Sequence, residues 1–204
     1  YLSKMIDLGP EYHINHVELS HNMVWHTEDI LDNPEKQVQV NNLINQAHQN
    51  GIELFIWTHE ISYLPDQFFV NGKTDLDNPL LWEWLEEKYH QLFQAIPEVD
   101  GIVLTFSETN IPIYNDDLVI TEMDKPERVT KLLNIVNGVC KEYGKKLWAR
   151  TWAADEWVTE GVIAADENIW VENKNVNCDF CPYGEYHPNT GIYGDRNQII
   201  EFDL

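Results

Sequence analysis

The sequence predicts a (β/α)8 barrel of the TIM type, present as an incomplete barrel of about six strands. Two patterns carry this prediction. Short apolar runs of strand length alternate with amphipathic stretches of helical period, and the units recur at roughly 40 to 45 residues, which implies parallel strands joined by right-handed crossovers. A third observation concerns the ends of the runs: Gly101-Ile102-Val103-Leu104-Thr105-Phe106-Ser107 breaks directly onto Glu108. In a barrel of parallel strands, chemistry gathers at the C-terminal strand ends.

The elements follow in order. Val17 to Ser20 reads as a strand end. Pro34 to Asn50 reads as a helix with Val40, Leu43, Ile44 and Ala47 on one stripe and Gly51 as its stop. Ile52 to Trp57 is the next strand. A helix starts at Pro79 with Asn78 as N-cap, its stripe formed by Leu81, Trp84, Leu85, Tyr89, Leu92 and Ile96. After the strand from Gly101, Pro126 to Tyr143 repeats the helical signal and Gly144 closes it before the strand Lys146 to Thr151. A helix around Asp155 to Ala165, a strand Ile169 to Val171, a loop rich in Asn, Pro, Gly and Tyr, and a strand Gln198 to Phe202 complete the pattern. With no break in composition, residues 1–204 read as a single partial barrel domain. The initial Tyr and a last strand cut at Leu204 are expected for a barrel lacking one or two units. The rival architecture, an open doubly wound sheet, lacks its Gly-rich phosphate loop.

Composition narrows the function. Thirteen cationic against 35 acidic side chains give a formal charge of -22, which repels phosphate backbones and predicts no nucleic-acid partner. Apolar runs are too short for a membrane span. The three cysteines, Cys140, Cys178 and Cys181, lack a second C-x-x-C or neighbouring His ligands, so no metal or other cofactor is expected.

Parallel pairing collects on one face the polar strand ends around His21, His59 and Glu60, Glu108, Arg150 and Trp152, and Glu172 to Lys174 with the loop to Asp179. Trp25, Trp57, Trp152, Trp170, Tyr183 and Tyr186 lie beside them, and flat rings with polar edges suit sugar faces. Glycosidic hydrolysis needs an acid to protonate the leaving oxygen and a carboxylate to activate water or attack carbon. Glu108, after an apolar strand, is the candidate acid, and Asp179, in a polar loop, the candidate ionised partner. Arg150 alternates with Trp148 and Trp152, so a guanidinium at the strand mouth either clamps a substrate carboxylate, assisted by Lys174, or pairs with one of the many acids.

The run Thr74-Asp75-Leu76-Asp77-Asn78-Pro79 with Trp82 and Trp84, then Ile96 to Gly101 and Phe106-Ser107-Glu108, resembles the alpha-glucuronidases of glycoside hydrolase family 67. Lys174 to Phe180 is similar to that family's Lys-Asn-Gly-Pro-x-Asp-Phe loop, and Pro188, Gly191, Gln198 and Glu201-Phe202 fall where its Pro, Gly and Glu-Phe-Gln segment would. The resemblance implies an inverting, metal-independent hydrolase removing glucuronyl side groups from xylan fragments. It implies Glu108 as general acid, Asp179 as one of two base carboxylates, and Arg150 with Lys174 on the uronate carboxyl. Trp152, Glu201 and His59 complete the expected substrate-binding set. Two departures stand out. The family's lysine in the acid strand aligns with Leu104, which opens the site to a different uronate or a neutral sugar, and the second base would lie beyond Leu204, so this chain by itself is expected to be inactive. Two other functions fit the same residues: a metal-dependent sugar isomerase or aldolase-like barrel using His21, His59, Glu60, Glu108 and Asp179, and a non-catalytic carbohydrate-binding domain.

Overall fold

The computed structural model describes residues 1–21, 23–106, 109, 111–151, 156–175 and 188–202. In chain order the elements are α1 (Leu2–Leu8), β1 (His16–Leu19), α2 (Glu28–Leu31), α3 (Pro34–Gln49), β2 (Glu53–His59), β3 (Phe69–Val70), β4 (Lys73–Asp75), α4 (Pro79–Ala95), β5 (Gly101–Thr105), β6 (Val119–Ile120), α5 (Lys125–Glu142), β7 (Lys146–Arg150), α6 (Glu156–Ala164), β8 (Trp170–Lys174) and β9 (Gln198–Glu201). Among the described residues, β1, β2, β5, β7, β8 and β9 form one sheet in that order, every neighbouring pair parallel. This is the sheet of an incomplete (β/α) barrel, curled so that β1 and β7 side chains meet across its hollow: the His16 ring stacks on Trp148 at 4.4 Å.

Local chemistry starts and stops the helices where the sequence predicts. Asn33 caps α3 and Asn78 caps α4, each accepting a backbone N–H ahead of a proline in the first turn. Asp124 and Glu127 form a reciprocal capping box on α5. Gly51 and Gly144, just past α3 and α5, take φ of 70° and 67°, the left-handed region that favours glycine.

Strand alternation divides the sheet into two faces. Leu54, Ile56, Ile102, Leu104, Leu147, Ala149 and Val171 turn outward into the large core beneath the helices. Phe55, Trp57, Val103 and Trp148 turn inward, with Trp170 and Ile199 packed on them. Gly101, at the start of β5, lies against the Phe55 ring and the Lys146 carbonyl, where a Cβ would overlap both.

The structure alters three readings. β8 runs on to Lys174 rather than ending at Val171, and β2 reaches His59 rather than Trp57. In both, polar residues at the strand end mask extended backbone. Trp170 is no rim aromatic: it lies flat against Trp148, 5.7 Å away with planes 2° apart, in the interior stack. The helices α1 and α2 and the small sheet β3-β4-β6 have no counterpart in the sequence reading, because pieces of two to seven residues carry too little periodicity.

Candidate active site

Glu108, Asp179 and Trp152 lie outside the described residues, as do Tyr183, Tyr186, Cys178 and Cys181. The other expected site residues are at the strand ends. Thr105 is in register with His59 on β2 and Arg150 on β7, Arg150 with Glu172 on β8, and Lys174 with Glu201 on β9. Each neighbouring pair therefore shares a face of the sheet.

Arg150 and Glu201 meet directly. The guanidinium donates from Nε to Oε2 at 2.6 Å and from Nη2 to Oε1 at 2.7 Å, a bidentate fork in which Arg150 is only 4% exposed. Its plane lies over Trp57, 4.5 Å from the ring centroid. Trp57 Nε1 in turn donates to Glu18 Oε2, and the His16 Nε2 is 3.1 Å from Glu18 Oε1. A continuous polar chain thus crosses the hollow from β1 through β2 and β7 to β9. Lys174 is buried at the end of β8.

His59 is fully buried, stacked on Trp25 at 4.8 Å with planes 10° apart, and its Nδ1 is hydrogen-bonded to the Trp25 carbonyl. His21 and His26 rings stand 6.0 and 5.6 Å from it. Burial lowers the His26 pKa despite the raising influence of the His59 carbonyl and two nearby acids, so this ring is neutral near pH 7. The three rings make an aromatic wall beside the mouth.

Glu60 leaves the rim altogether. Its carboxylate turns to the helix side, accepting from Tyr89 Oη at 3.1 Å and Lys88 Nζ at 2.9 Å, while Lys88 also holds Glu28 at 2.9 Å. That corrects its place in the metal-binding constellation. Among the described residues, Glu86, His90 and Glu142 are the acid and imidazole groups whose donor atoms approach within 4.8 Å of one another, on the outer faces of α4 and α5. Both glutamates there are exposed, and nothing else at that place marks an ion site.

One residue of the inner face, Glu18, escapes the sequence reading of the site, and Glu172, only 3% exposed, has a place on the rim in that reading but no role. Burial first, then the charges of Glu18 and Glu201, push the Glu172 carboxyl well above the usual carboxylate range against the pull of Arg150. The signal was available: His16 and Glu18 alternate with Val17 and Leu19, and Trp170, Glu172 and Lys174 alternate with Val171 and Asn173. Below this mouth a cavity of about 570 Å³ opens between Asn15, His16, Glu18, Glu53, Trp148 and Trp170.

No protein-family model and no curated protein matches the chain. Solved structures do, several glycoside hydrolases among them. A GH138 enzyme targeting pectin rhamnogalacturonan II aligns over 97% of this chain and 25% of its own, with TM-score 0.65 and 15% identity. The Thermobaculum terrenum O-GlcNAc hydrolase aligns over 98% of this chain and 43% of its own, with TM-score 0.64 and 13% identity. PbGH5A, a glycoside hydrolase family 5 enzyme from Prevotella bryantii B14, aligns over 88% and 55%, with TM-score 0.54 and 13% identity. The chain spans a quarter of the first of these and about half of the third, and at such identities the likeness is one of fold.

Proposed function

We propose that this chain is catalytic-barrel sequence of a glycoside hydrolase, acting on an oligosaccharide in the manner of an inverting alpha-glucuronidase and releasing glucuronic acid or a related sugar. The observation that carries the reading is the Glu201–Arg150–Trp57–Glu18 chain on the inner face of a parallel half-barrel whose structural neighbours include glycoside hydrolases. Glu108, three residues past the end of β5, protonates the glycosidic oxygen as the bond to the anomeric carbon breaks. Asp179 takes a proton from a water that attacks the opposite face of the sugar. Arg150 and Lys174, with Trp152, Glu201 and His59, hold the glycone. Since Arg150 is engaged by Glu201, a uronate on this guanidinium must share or displace that carboxylate.

The test measures release of free uronic acid from glucuronylated xylo-oligosaccharides by the full-length protein that carries this chain, with the product anomer followed over time. Glu108→Gln is expected to lower turnover by about 10²- to 10⁴-fold while substrate still binds. Turnover equal to that of the parent would overturn the assignment. An initial product of retained configuration would replace the inverting mechanism with a retaining one.

A further inference from the structure

On the helix side of the sheet, a groove of about 280 Å³ lies between the end of α2, α4 and the loop that follows β2. The helical period puts Trp84, Glu87, Lys88 and Gln91 on one face of α4, and all four line the groove. Asp32, just past α2, and Tyr63, in the loop, complete its polar and aromatic lining. The Lys88 ammonium is engaged beneath: it is bonded to Glu28 and Glu60 and lies 4.9 Å from the Trp84 ring centroid.

Tyr63 is the anomaly of this groove. The residue is 60% exposed, and its backbone takes φ of 52°. Among the described residues, three other non-glycine positions share this left-handed region. His13 closes the helical turn Gly9–Tyr12, and Asn71 precedes Gly72 in the two-residue turn between β3 and β4, where the turn itself needs that conformation. His21 lies in the loop after β1. Asparagine and histidine adopt this region more readily than a bulky tyrosine, which is held there only by its surroundings, and such residues cluster at binding sites. The Tyr63 ring is braced accordingly, standing edge-on to His26 at 5.0 Å with planes 86° apart.

Tyr63 and the half-buried Trp84 offer aromatic surface, and the exposed Asp32, Glu87 and Gln91 offer oxygen acceptors and an amide around it. Flat rings edged by such groups suit a ligand with hydroxyls around an apolar ring face, and the volume suits about one to two sugar rings. Charge narrows the choice: Glu28, Asp32 and Glu87 outnumber Lys88, which also serves Glu60, so an anionic sugar is repelled. We infer that this groove is a saccharide-binding site separate from the barrel mouth, in which a neutral sugar packs on Tyr63 and Trp84 and donates hydroxyl hydrogen bonds to Asp32 and Glu87. The ligand class rests on the glycosidase reading above; the place rests on the groove. Tyr63 packs on His26, and His26 stands 5.6 Å from His59 of the mouth wall, which suits the groove to hold an undecorated stretch of a polymeric substrate.

The full-length protein that carries this chain is labelled with fluorotryptophan, and the fluorine resonance of Trp84 is identified as the one lost in Trp84→Phe. Xylotriose is expected to shift that resonance to saturation, and glucuronylated xylotriose to bind there about threefold more weakly or worse. Glycine accepts the left-handed backbone, so Tyr63→Gly is expected to melt no lower than the parent, to weaken the xylotriose response by about tenfold and to leave uronic acid release unchanged. Glu87→Gln is expected to narrow the gap between the two sugars. A Trp84 resonance that xylotriose does not move, an unaltered response in folded Tyr63→Gly, stronger binding of the acidic sugar, or a response to tetramethylammonium in place of xylotriose would overturn the site. Uronic acid release beside an unmoved Trp84 resonance sinks the groove and leaves the hydrolase. A shift that depends on Tyr63, without release, does the reverse.

Discussion

Two buried charge clusters lie on opposite sides of this sheet, and they are finished to different degrees. On the helix side, Glu60 has a partner at each oxygen, Tyr89 and Lys88, and Lys88 spans Glu60 and Glu28. Burial raises the Glu60 carboxyl, while the two carboxylates hold the Lys88 ammonium above its ordinary value against its own burial. On the inner side Arg150 and Glu201 are as well matched, yet Thr105 Oγ1 and Glu172 Oε2 beside them are buried with no hydrogen-bond partner among the described residues. A saturated network fixes one packing of strand against helix, whereas a buried polar group without a partner costs stability.

Breaking the finished cluster should be most costly. Lys88→Met strands the buried Glu60, and a loss of about 3 to 5 kcal/mol is expected in urea unfolding. A loss below about 1 kcal/mol would show that water reaches Glu60 and that the contrast is overstated. Arg150→Met removes the fork from Glu201, which remains partly open to solvent and can hydrate, so a smaller loss of about 2 to 3 kcal/mol is expected. Substrate binding at the mouth should fall with it, whereas Lys88→Met should leave that affinity unchanged in the folded fraction.

The sharpest contrast is in pH. A carboxyl raised by folding contributes most below its unfolded range and loses that contribution as pH rises through the folded value. Glu172→Gln should therefore melt higher than the parent at pH 8, and the difference should vanish near pH 4. Equal melting points across that interval would mean that Glu172 is ionised and solvated. The smallest effect belongs to a surface pair: Lys141→Ala, which frees Asp166, should change stability by less than about 1 kcal/mol, and still less in salt.

Most of the architecture was legible from local signals that agree with one another. The caps Asn33 and Asn78, the stops Gly51 and Gly144 and the apolar stripes of α3, α4 and α5 place the helices within a residue or two. The parallel sheet follows from their alternation with strands. What could not be read was which acid meets which base. Arg150 and Glu201 are 51 positions apart, and their pairing exists only through the register of β7, β8 and β9. Glu60 misled because it follows the inward-facing His59 at a strand end and yet turns to α4, where Tyr89 and Lys88 receive it. Glu172 reads as part of the rim rather than of the strand because charged residues in a strand read as its end, though in a barrel they are simply the inward half of the alternation.

Gly101 bears on how such a barrel can diversify. A methyl group there would collide with the Phe55 ring and the Lys146 carbonyl, so the start of β5 sits closer to its neighbours than any side chain allows. Variation at this position in descendants of this sequence would therefore have to be matched by a smaller residue at 55 or by a shift of β7, so glycine is the residue that this strand start tolerates without rearrangement.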